Sequence, residues 1–131
     1  MGTHSLIYMR EIVNGKTLTY AVLYQQYDGY VEGVGKNLVD FLKNIKIVNG
    51  FVHGVKNQAN GAGCLFAQLI KHFKDDVGGS YLVPITDTEE REQFNYYVDV
   101  VDKNIMITIY DRNDFLFEGS VEECVKYIKS E

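Results

Sequence analysis

Residues 5–26 read SLIYMREIVNGKTLTYAVLYQQ, which is two strand-like runs on either side of one tight turn. The runs are residues 5–12 and 16–26, and Asn14-Gly15 stands between them. Asn-Gly readily adopts the positive φ angles of a type I′ turn, so this dipeptide is the strongest hairpin signal in the chain. We therefore expect a β-hairpin at the start of the fold.

The second run of the hairpin alternates large side chains with smaller ones. Successive side chains of a strand point to opposite faces of the sheet, so the alternation predicts one face that is rich in aromatic rings. The other face is small and becomes apolar towards its end, which predicts partial cover on both faces. The residues expected to share the aromatic-rich face are Leu18, Tyr20, Val22 and Tyr24.

Hydrophobic residues at helical spacing predict three helices, in residues 36–44, in residues 62–74 and from Ser120 onward. Ser120 with Glu123 three residues later forms a capping box, which marks the start of the last helix. Residues 27–35 and 57–63 are expected to be loops, because closely spaced glycines disfavour regular structure. Residues 47–53 contain a second Asn-Gly and are expected to be irregular or a short extended piece.

Four further strands are predicted, in residues 80–86, 94–101, 105–110 and 115–118. Pro84 favours a sheet edge or a strand end for the first of them. The order β-β-α-α-β-β-β-β-α contains many hairpins and few long crossovers. We therefore expect a single α+β domain over residues 1–131, with a mostly antiparallel sheet of about five to six strands and about three helices packed mainly on one face.

The composition narrows the classes of partner. Thirteen basic and 18 acidic residues give a net charge of −5, which disfavours the basic face that nucleic-acid binding needs. The two cysteines, Cys64 and Cys124, suit a reducing compartment better than a disulfide scaffold, and a single bridge between them stays open. No apolar stretch approaches the ~18 residues of a membrane-crossing helix. We expect neither a membrane nor a nucleic-acid partner.

Residues 33–36, Gly-Val-Gly-Lys, are similar to part of a phosphate-binding loop but fail its spacing. The motif Gly-x-x-x-x-Gly-Lys-Ser/Thr needs a glycine where Tyr30 stands and a hydroxyl where Asn37 stands. Two interpretations remain. The loop leads into a helix N-terminus whose free N–H groups can hold an anion, or it has only a structural role. No cofactor is predicted.

Cys64 lies beside the start of the second helix, where a thiol can become nucleophilic. A catalytic cysteine also needs a base, and His72, eight residues along the same helix, lies about 12 Å further up the axis. We therefore expect a buried structural thiol, with a nucleophile as the alternative. The histidines and cysteines are too scattered for a metal site, so neither a metal ligand nor a catalytic residue is predicted.

The chain contains ten tyrosines, seven phenylalanines and no tryptophan. Tyrosine combines a large apolar area with a polar tip and is frequent at protein interfaces. The tyrosines near the first hairpin predict either packing on a sheet face or an exposed surface for self-association. The candidate interface residues are Tyr20, Tyr24 and Tyr27.

Five short segments spread over nearly the whole chain resemble one protein family. They are residues 1–6 (MGTHSL), 24–30 (YQQYDGY) with Gly33 and Gly35, 60–65 (NGAGCL) leading to Ala67-Gln68, 78–82 (GGSYL) and 117–120 (FEGS). The chain resembles a family of small proteins of bacteriophages and large DNA viruses, marseillevirus-type members included. Family members begin Gly-Thr-Arg-Ser-Leu, and His4 replaces that arginine here.

The resemblance implies a viral origin and a location in the virion or the host cell interior, cytoplasm or nucleus. It brings no reaction, cofactor or catalytic residue with it. The leading interpretation is a viral accessory or virion-associated protein that acts by binding, as a homodimer or with other viral or host proteins, rather than by catalysis. The alternative is a small enzyme or ligand-binding protein that uses the glycine-rich loops and Cys64.

Both glycine-rich segments stand next to helix starts, and loop residues more often serve sites than scaffolds. One hypothesis is that the two segments meet in space and line a shared ligand-binding cleft. The other is that the glycines only allow tight chain crossings. The cleft residues would be Asp28, Gly29, Tyr30, Gly33, Gly35, Asn60, Gly61, Gly63 and Cys64.

Overall fold

The structure, a computed structural model, describes residues 2–50, 52–55, 57–85 and 92–130. The strands within these residues are β1 Ser5–Val13, β2 Lys16–Gln25, β3 Lys46–Val48, β4 Gln58–Asn60, β5 Ser80–Leu82, β6 Phe94–Val101, β7 Asn104–Asp111 and β8 Asp114–Ser120. The helical elements are a π-helical turn, Val31–Gly35, and the helices α1 Lys36–Leu42, α2 Gly61–Phe73 and α3 Val121–Lys129.

The main sheet has six strands in the order β5-β2-β1-β6-β7-β8, and β3 with β4 forms a separate parallel pair. Neighbouring strands of the main sheet are antiparallel except at the centre, where β1 runs parallel to β6. The predicted α+β class, a mostly antiparallel sheet with three helices, is confirmed. The short strand β5 lies at the sheet edge, as Pro84 indicated, but it ends at Leu82, so the prediction of a strand is wrong for residues 83–85, and residue 86 lies outside the described residues.

Two of the hairpins turn through residues with positive φ angles. Asn14 and Gly15 have φ angles of 52° and 77°, the type I′ geometry predicted for this dipeptide. Asp102 and Lys103, with φ angles of 49° and 68°, connect β6 to β7 in the same way. Such turns match the twist of the paired strands, so each turn sets the register of its hairpin.

One face of the main sheet packs against all three helices and forms the core. Alternate residues of the central strands point to this face, and the apolar faces of the helices cover them. Burying each large apolar side chain contributes roughly 1.5–3 kcal/mol, which makes this face the main source of stability. Its fully buried side chains include Ile7, Met9, Leu38, Leu65, Tyr96, Val98, Ile107 and Cys124.

The opposite face carries an ion pair between the two parallel central strands. Arg10 Nε and Nη2 donate to the two carboxylate oxygens of Asp99 at 2.7 and 2.9 Å, and the two residues are directly in register. The guanidinium carbon of Arg10 lies 4.5 Å from the centroid of the Tyr97 ring, on which Tyr8 stacks. Asp99 is buried, so this two-bond pairing offsets the loss of water around its carboxylate and links β1 to β6.

A β-bulge changes the faces that were predicted for β2. The register of β1 against β2 shifts at Tyr20, which is an extra residue in the ladder. Tyr20 therefore points to the helix side, where its ring contacts Phe66 of α2, whereas Tyr24 points to the opposite side and contacts Tyr81. Strict alternation assumes an unbroken ladder, so the prediction of one shared face is wrong for these four residues: Leu18, Tyr20, Val22 and Tyr24.

The first glycine-rich segment is irregular only over residues 27–30, so the prediction of a loop over residues 27–35 is partly wrong. The π-helical turn Val31–Gly35 continues directly into α1. A Cβ atom on Gly33 would overlap the carbonyl oxygen of Asp28, which accepts a hydrogen bond of 2.8 Å from the backbone N–H of Val34. Glycine is required at this position because the chain approaches itself too closely for any side chain.

The second glycine-rich segment also contains regular structure, because β4 pairs with β3 and α2 begins at Gly61. The prediction of a loop over residues 57–63 is therefore wrong for most of its length. Gly61 has a φ angle of 83°, which favours glycine and lets β4 lead directly into α2. The short extended piece expected in residues 47–53 corresponds in part to β3, which pairs with β4.

The helix boundaries agree with prediction within two residues, apart from the π-helical extension of α1. The capping box of α3 is confirmed: Glu123 N donates to Ser120 Oγ at 3.1 Å, and Ser120 N donates to Glu123 Oε1 at 2.8 Å. These hydrogen bonds hold the pKa of the Glu123 carboxyl below its usual range. The start of α3 is thus determined by local sequence.

Replacing Gly33 with alanine should destabilise the protein, because its Cβ atom has no room beside the Asp28 carbonyl. We expect the free energy of unfolding to fall by about 2 kcal/mol or more in urea denaturation, as in overpacked sites. Gly63→Ala is the matched control. The nearest atom to its Cβ would be 3.7 Å away, and alanine favours a helix, so stability should be unchanged or higher. Equal losses in both variants would contradict the close approach at Gly33.

Candidate functional site

The two glycine-rich segments lie at opposite ends of β1. Gly29 N donates to Thr3 O at 2.8 Å, beside the first residue of β1, whereas Gly61 lines a groove together with Val13, the last residue of β1. The nine residues of β1 span about 26 Å at ~3.3 Å per residue. The hypothesis of one shared cleft is therefore wrong, because the whole length of a central strand separates the two segments.

At the first end of β1, two of the predicted site residues, Gly29 and Gly35, contact the buried side chain of Tyr96. Asp28 has a φ angle of 56°, and Gly29 packs against His4 so closely that a Cβ atom would lie 2.7 Å from the His4 carbonyl carbon. The Gly29 carbonyl accepts a hydrogen bond of 2.6 Å from the Tyr96 hydroxyl, and Gly35 lies against the same ring. These contacts support the second hypothesis, in which the glycines allow tight chain crossings.

Tyr96 is not among the site residues predicted from the sequence, although the chain at this end of the sheet packs around its side chain. It is fully buried on β6, and burial raises the pKa of its phenol, so the hydroxyl remains a donor to the Gly29 carbonyl. The sequence signal was its place in the alternating apolar pattern of residues 94–101. That pattern predicts burial but does not predict which distant carbonyl the hydroxyl reaches.

At the other end of β1, a groove of about 710 Å³ opens between the two type I′ turns and the start of α2. This volume is in the range of small-molecule sites. The predicted site residues Asn60 and Gly61 line the groove, while Asp28, Gly29 and Tyr30 belong to the far end of β1. The other lining residues include Asn14, Ile47, Asn49, Ala62 and Val100.

The polar groups of the groove are amides and a mixture of charges. Glu11, Asp102 and Lys103 line it together, which gives a formal charge of −1. Asn60 Oδ1 accepts a hydrogen bond of 3.0 Å from Gly50 N, so this side chain does not cap α2. Amides and backbone N–H groups can hold a small polar ligand. The described lining residues include no serine, threonine, cysteine or histidine.

Cys64 is exposed on α2, so the prediction of a buried structural thiol is wrong. Its Sγ lies 3.5 Å from Oε1 of Gln68, one helical turn further on, and this amide cannot act as a base. The error has a geometric cause, because Leu65, Phe66 and Leu69 take the buried side of α2 and turn Cys64 outward. The cysteines form no disulfide, since both are free thiols.

The histidine of α2 joins two helices and has no contact with the thiol. His72 Nε2 lies 2.7 Å from Oδ1 of Asn37, and its ring stacks on Phe41 with centroids 4.5 Å apart. Burial lowers the pKa of His72, which favours the neutral ring in this position. His72 therefore fastens α2 to α1, as expected for a residue more than two helical turns from Cys64.

The three candidate interface tyrosines lie in different surroundings. Tyr20 is 45% exposed, and its hydroxyl donates to Glu11 Oε1 at 2.6 Å, a hydrogen bond that raises the pKa of the Tyr20 phenol. Tyr27 is 60% exposed at the other end of the hairpin. Tyr24 is half-buried against Tyr81, and burial raises its pKa. Tyr20 and Tyr27 therefore present most of the accessible ring area.

Comparison with known proteins assigns this chain to no family. No protein-family model, curated protein or solved structure matches it. Within the described residues, no group of three or more His, Cys, Asp or Glu side chains could hold a metal ion. In the same part of the chain, no helix has both the length and the apolar character needed to cross a membrane.

The two thiols should differ sharply in their reaction with a disulfide reagent such as Ellman's reagent. In dilute native protein we expect one fast equivalent, from exposed Cys64, and a second only after unfolding, because burial raises the pKa of Cys124 to about 12. Cys64→Ser should remove the fast equivalent and Cys124→Ser the slow one. Two fast equivalents, or none, would contradict this placement of the side chains.

Proposed function

We propose that this protein is a non-enzymatic binding protein that acts by self-association as a homodimer. The observation that carries the proposal is the exposure of large apolar side chains on the first part of β2, whose outer edge pairs with no strand among the described residues. Leu18 and Tyr20 on β2 are 47% and 45% exposed. Exposed aromatic and aliphatic side chains beside a strand edge are typical of surfaces that bind other chains.

The surroundings of the reactive side chains support binding over catalysis. Cys64 contacts an amide, His72 contacts an amide and an aromatic ring, and His4 faces Glu92 with Nδ1 to Oε1 at 3.8 Å. Nucleophilic catalysis needs a nucleophile within hydrogen-bond reach of a base. The contacts of His72 and His4 instead join separate segments of the fold, and the contact of Cys64 stays within α2.

The resemblance to proteins of bacteriophages and large DNA viruses supports a viral setting for this binding. In this proposal the protein is an accessory or virion-associated protein, located in the particle or in the host cell interior, cytoplasm or nucleus. Other viral or host proteins are further partners. The groove at the end of β1 is where the alternative, a small-ligand-binding role, would reside, and it would use Asn60 and Gly61 without Cys64.

Sedimentation velocity or light scattering over a range of concentrations tests the self-association directly. The monomer has a mass of 15.0 kDa, and we expect the mean mass to rise towards twice that value as the concentration increases. The reason is that the exposed apolar area of β2 leaves water on association. A mean mass that stays at 15.0 kDa at every concentration would contradict the proposed self-association.

The viral setting has its own test, which does not depend on the oligomeric state. Mass spectrometry of purified particles of the encoding virus, compared with infected cells, should detect the protein in at least one of the two. Detection in washed particles assigns it to the virion, and detection only in cells assigns it to the host interior. Its absence from both would contradict the proposal.

A further inference from the structure

We infer that the self-association surface is the free edge of β2, and that its occupant is a second copy of this chain, paired antiparallel with Leu18 on the two-fold axis. The inference rests on the proposed self-association and adds its location and register. β5 pairs with β2 only over Leu23–Gln25, and one further bond joins Val83 N to Val22 O at 3.0 Å. Among the described residues, the first part of β2 has β1 on one side and an open edge on the other.

The backbone of this edge determines the register. The type I′ turn closes the hairpin so that Val13 and Lys16 hydrogen-bond to each other, and pairs along the ladder then alternate. The N–H and C=O groups of Thr17 and Thr19 consequently point away from β1. Two antiparallel copies satisfy all of these groups when Thr17 of one lies opposite Thr19 of the other. Leu18 then lies on the axis, and the pairing forms about four backbone hydrogen bonds.

The side chains of the edge complement themselves in this register. Three side chains lie on the helix side of β2, namely Lys16, Leu18 and Tyr20. Leu18 is the partner of Glu11 in the ladder with β1, and the Tyr20 ring contacts a side chain of α2. Leu18 packs on Leu18 of the second copy, and Lys16 lies opposite Tyr20 of the second copy. The hydroxyl of that Tyr20 is bonded to the Glu11 carboxylate, so the Lys16 ammonium meets both an aromatic ring and an opposite charge.

The start of α2 leaves room for the second copy above this edge. A Cβ atom on Gly63 would lie 3.7 Å from the Tyr20 ring, so this side of α2 faces the edge of β2. Gly63 and Ala67, one turn apart, are both exposed. Their small size allows the corresponding helix of the second copy to approach without collision.

The other edge of the main sheet fits a second copy less well. β8 carries Asp114 and Glu118 and has exposed Phe115, so its charged side chains are all acidic. Two such strands repel each other where carboxylates come opposite or diagonal, which is a common protection of edge strands. The β2 edge instead offers Lys16 beside Glu11, so each copy supplies both signs of charge.

A cysteine cross-link tests the register. In a Cys64→Ser background, Leu18→Cys places two thiols across the axis at a non-hydrogen-bonded pair, where Cα atoms lie about 4.5 Å apart, within disulfide range. Under copper–phenanthroline and air, which accept the two electrons and two protons, we expect nearly complete conversion to a covalent dimer. Phe115→Cys in the same background is the matched control, on the exposed β8 edge, and should stay largely monomeric.

A second variant tests the backbone pairing. Thr17→Pro removes an N–H that points to the open edge, so the monomer should keep its fold by circular dichroism while the dimer weakens by about tenfold or more. A dimer by mass that neither cross-links through Leu18→Cys nor responds to Thr17→Pro would overturn the inference and leave the proposed self-association standing. A chain that is monomeric at every concentration would overturn both.

Discussion

The parallel pairing of β1 with β6 is the constraint on which the rest of the structure depends. It joins residues 89 positions apart in the chain, and the Arg10–Asp99 pair connects the two strands directly. β1 also pairs with β2, so it has no free edge, and its Ile7 and Met9 are fully buried under the helices. Every other element of the main sheet adds outward from these two strands.

Parallel central strands make the two ends of the molecule different. The turns that follow β1 and β6 lie side by side, because the carboxyl ends of parallel strands meet at the same edge of a sheet. The groove opens between those turns, and α2 begins there. At the opposite end, where both strands start, the chain closes on itself around the Tyr96 hydroxyl. One end therefore forms an open groove, and the other is filled by glycine-dependent packing.

The hairpin strand β2 connects this architecture to the proposed binding. Its bulge at Tyr20 turns that ring to the helix side, where it meets α2 and lies beside Leu18 and Lys16. The short β5 covers only the far part of β2. The exposed edge of β2 is therefore apolar and carries both signs of charge for two reasons, which are the bulge at Tyr20 and the shortness of β5. It needs no reactive side chain.

The sequence by itself determined the elements whose cause is local. The type I′ turn at Asn14-Gly15, the capping box at Ser120 and the apolar face of α2 depend on residues within a few positions, so their patterns predicted them. Only the tertiary structure decided the parallel pairing, the separation of the two glycine-rich segments, the bulge at Tyr20 and the exposure of Cys64. The first three of these depend on which distant strand or helix packs alongside, and neither spacing nor propensity along the chain encodes that choice. The exposure of Cys64 follows from its place outside the apolar stripe of α2 once that helix packs against the sheet.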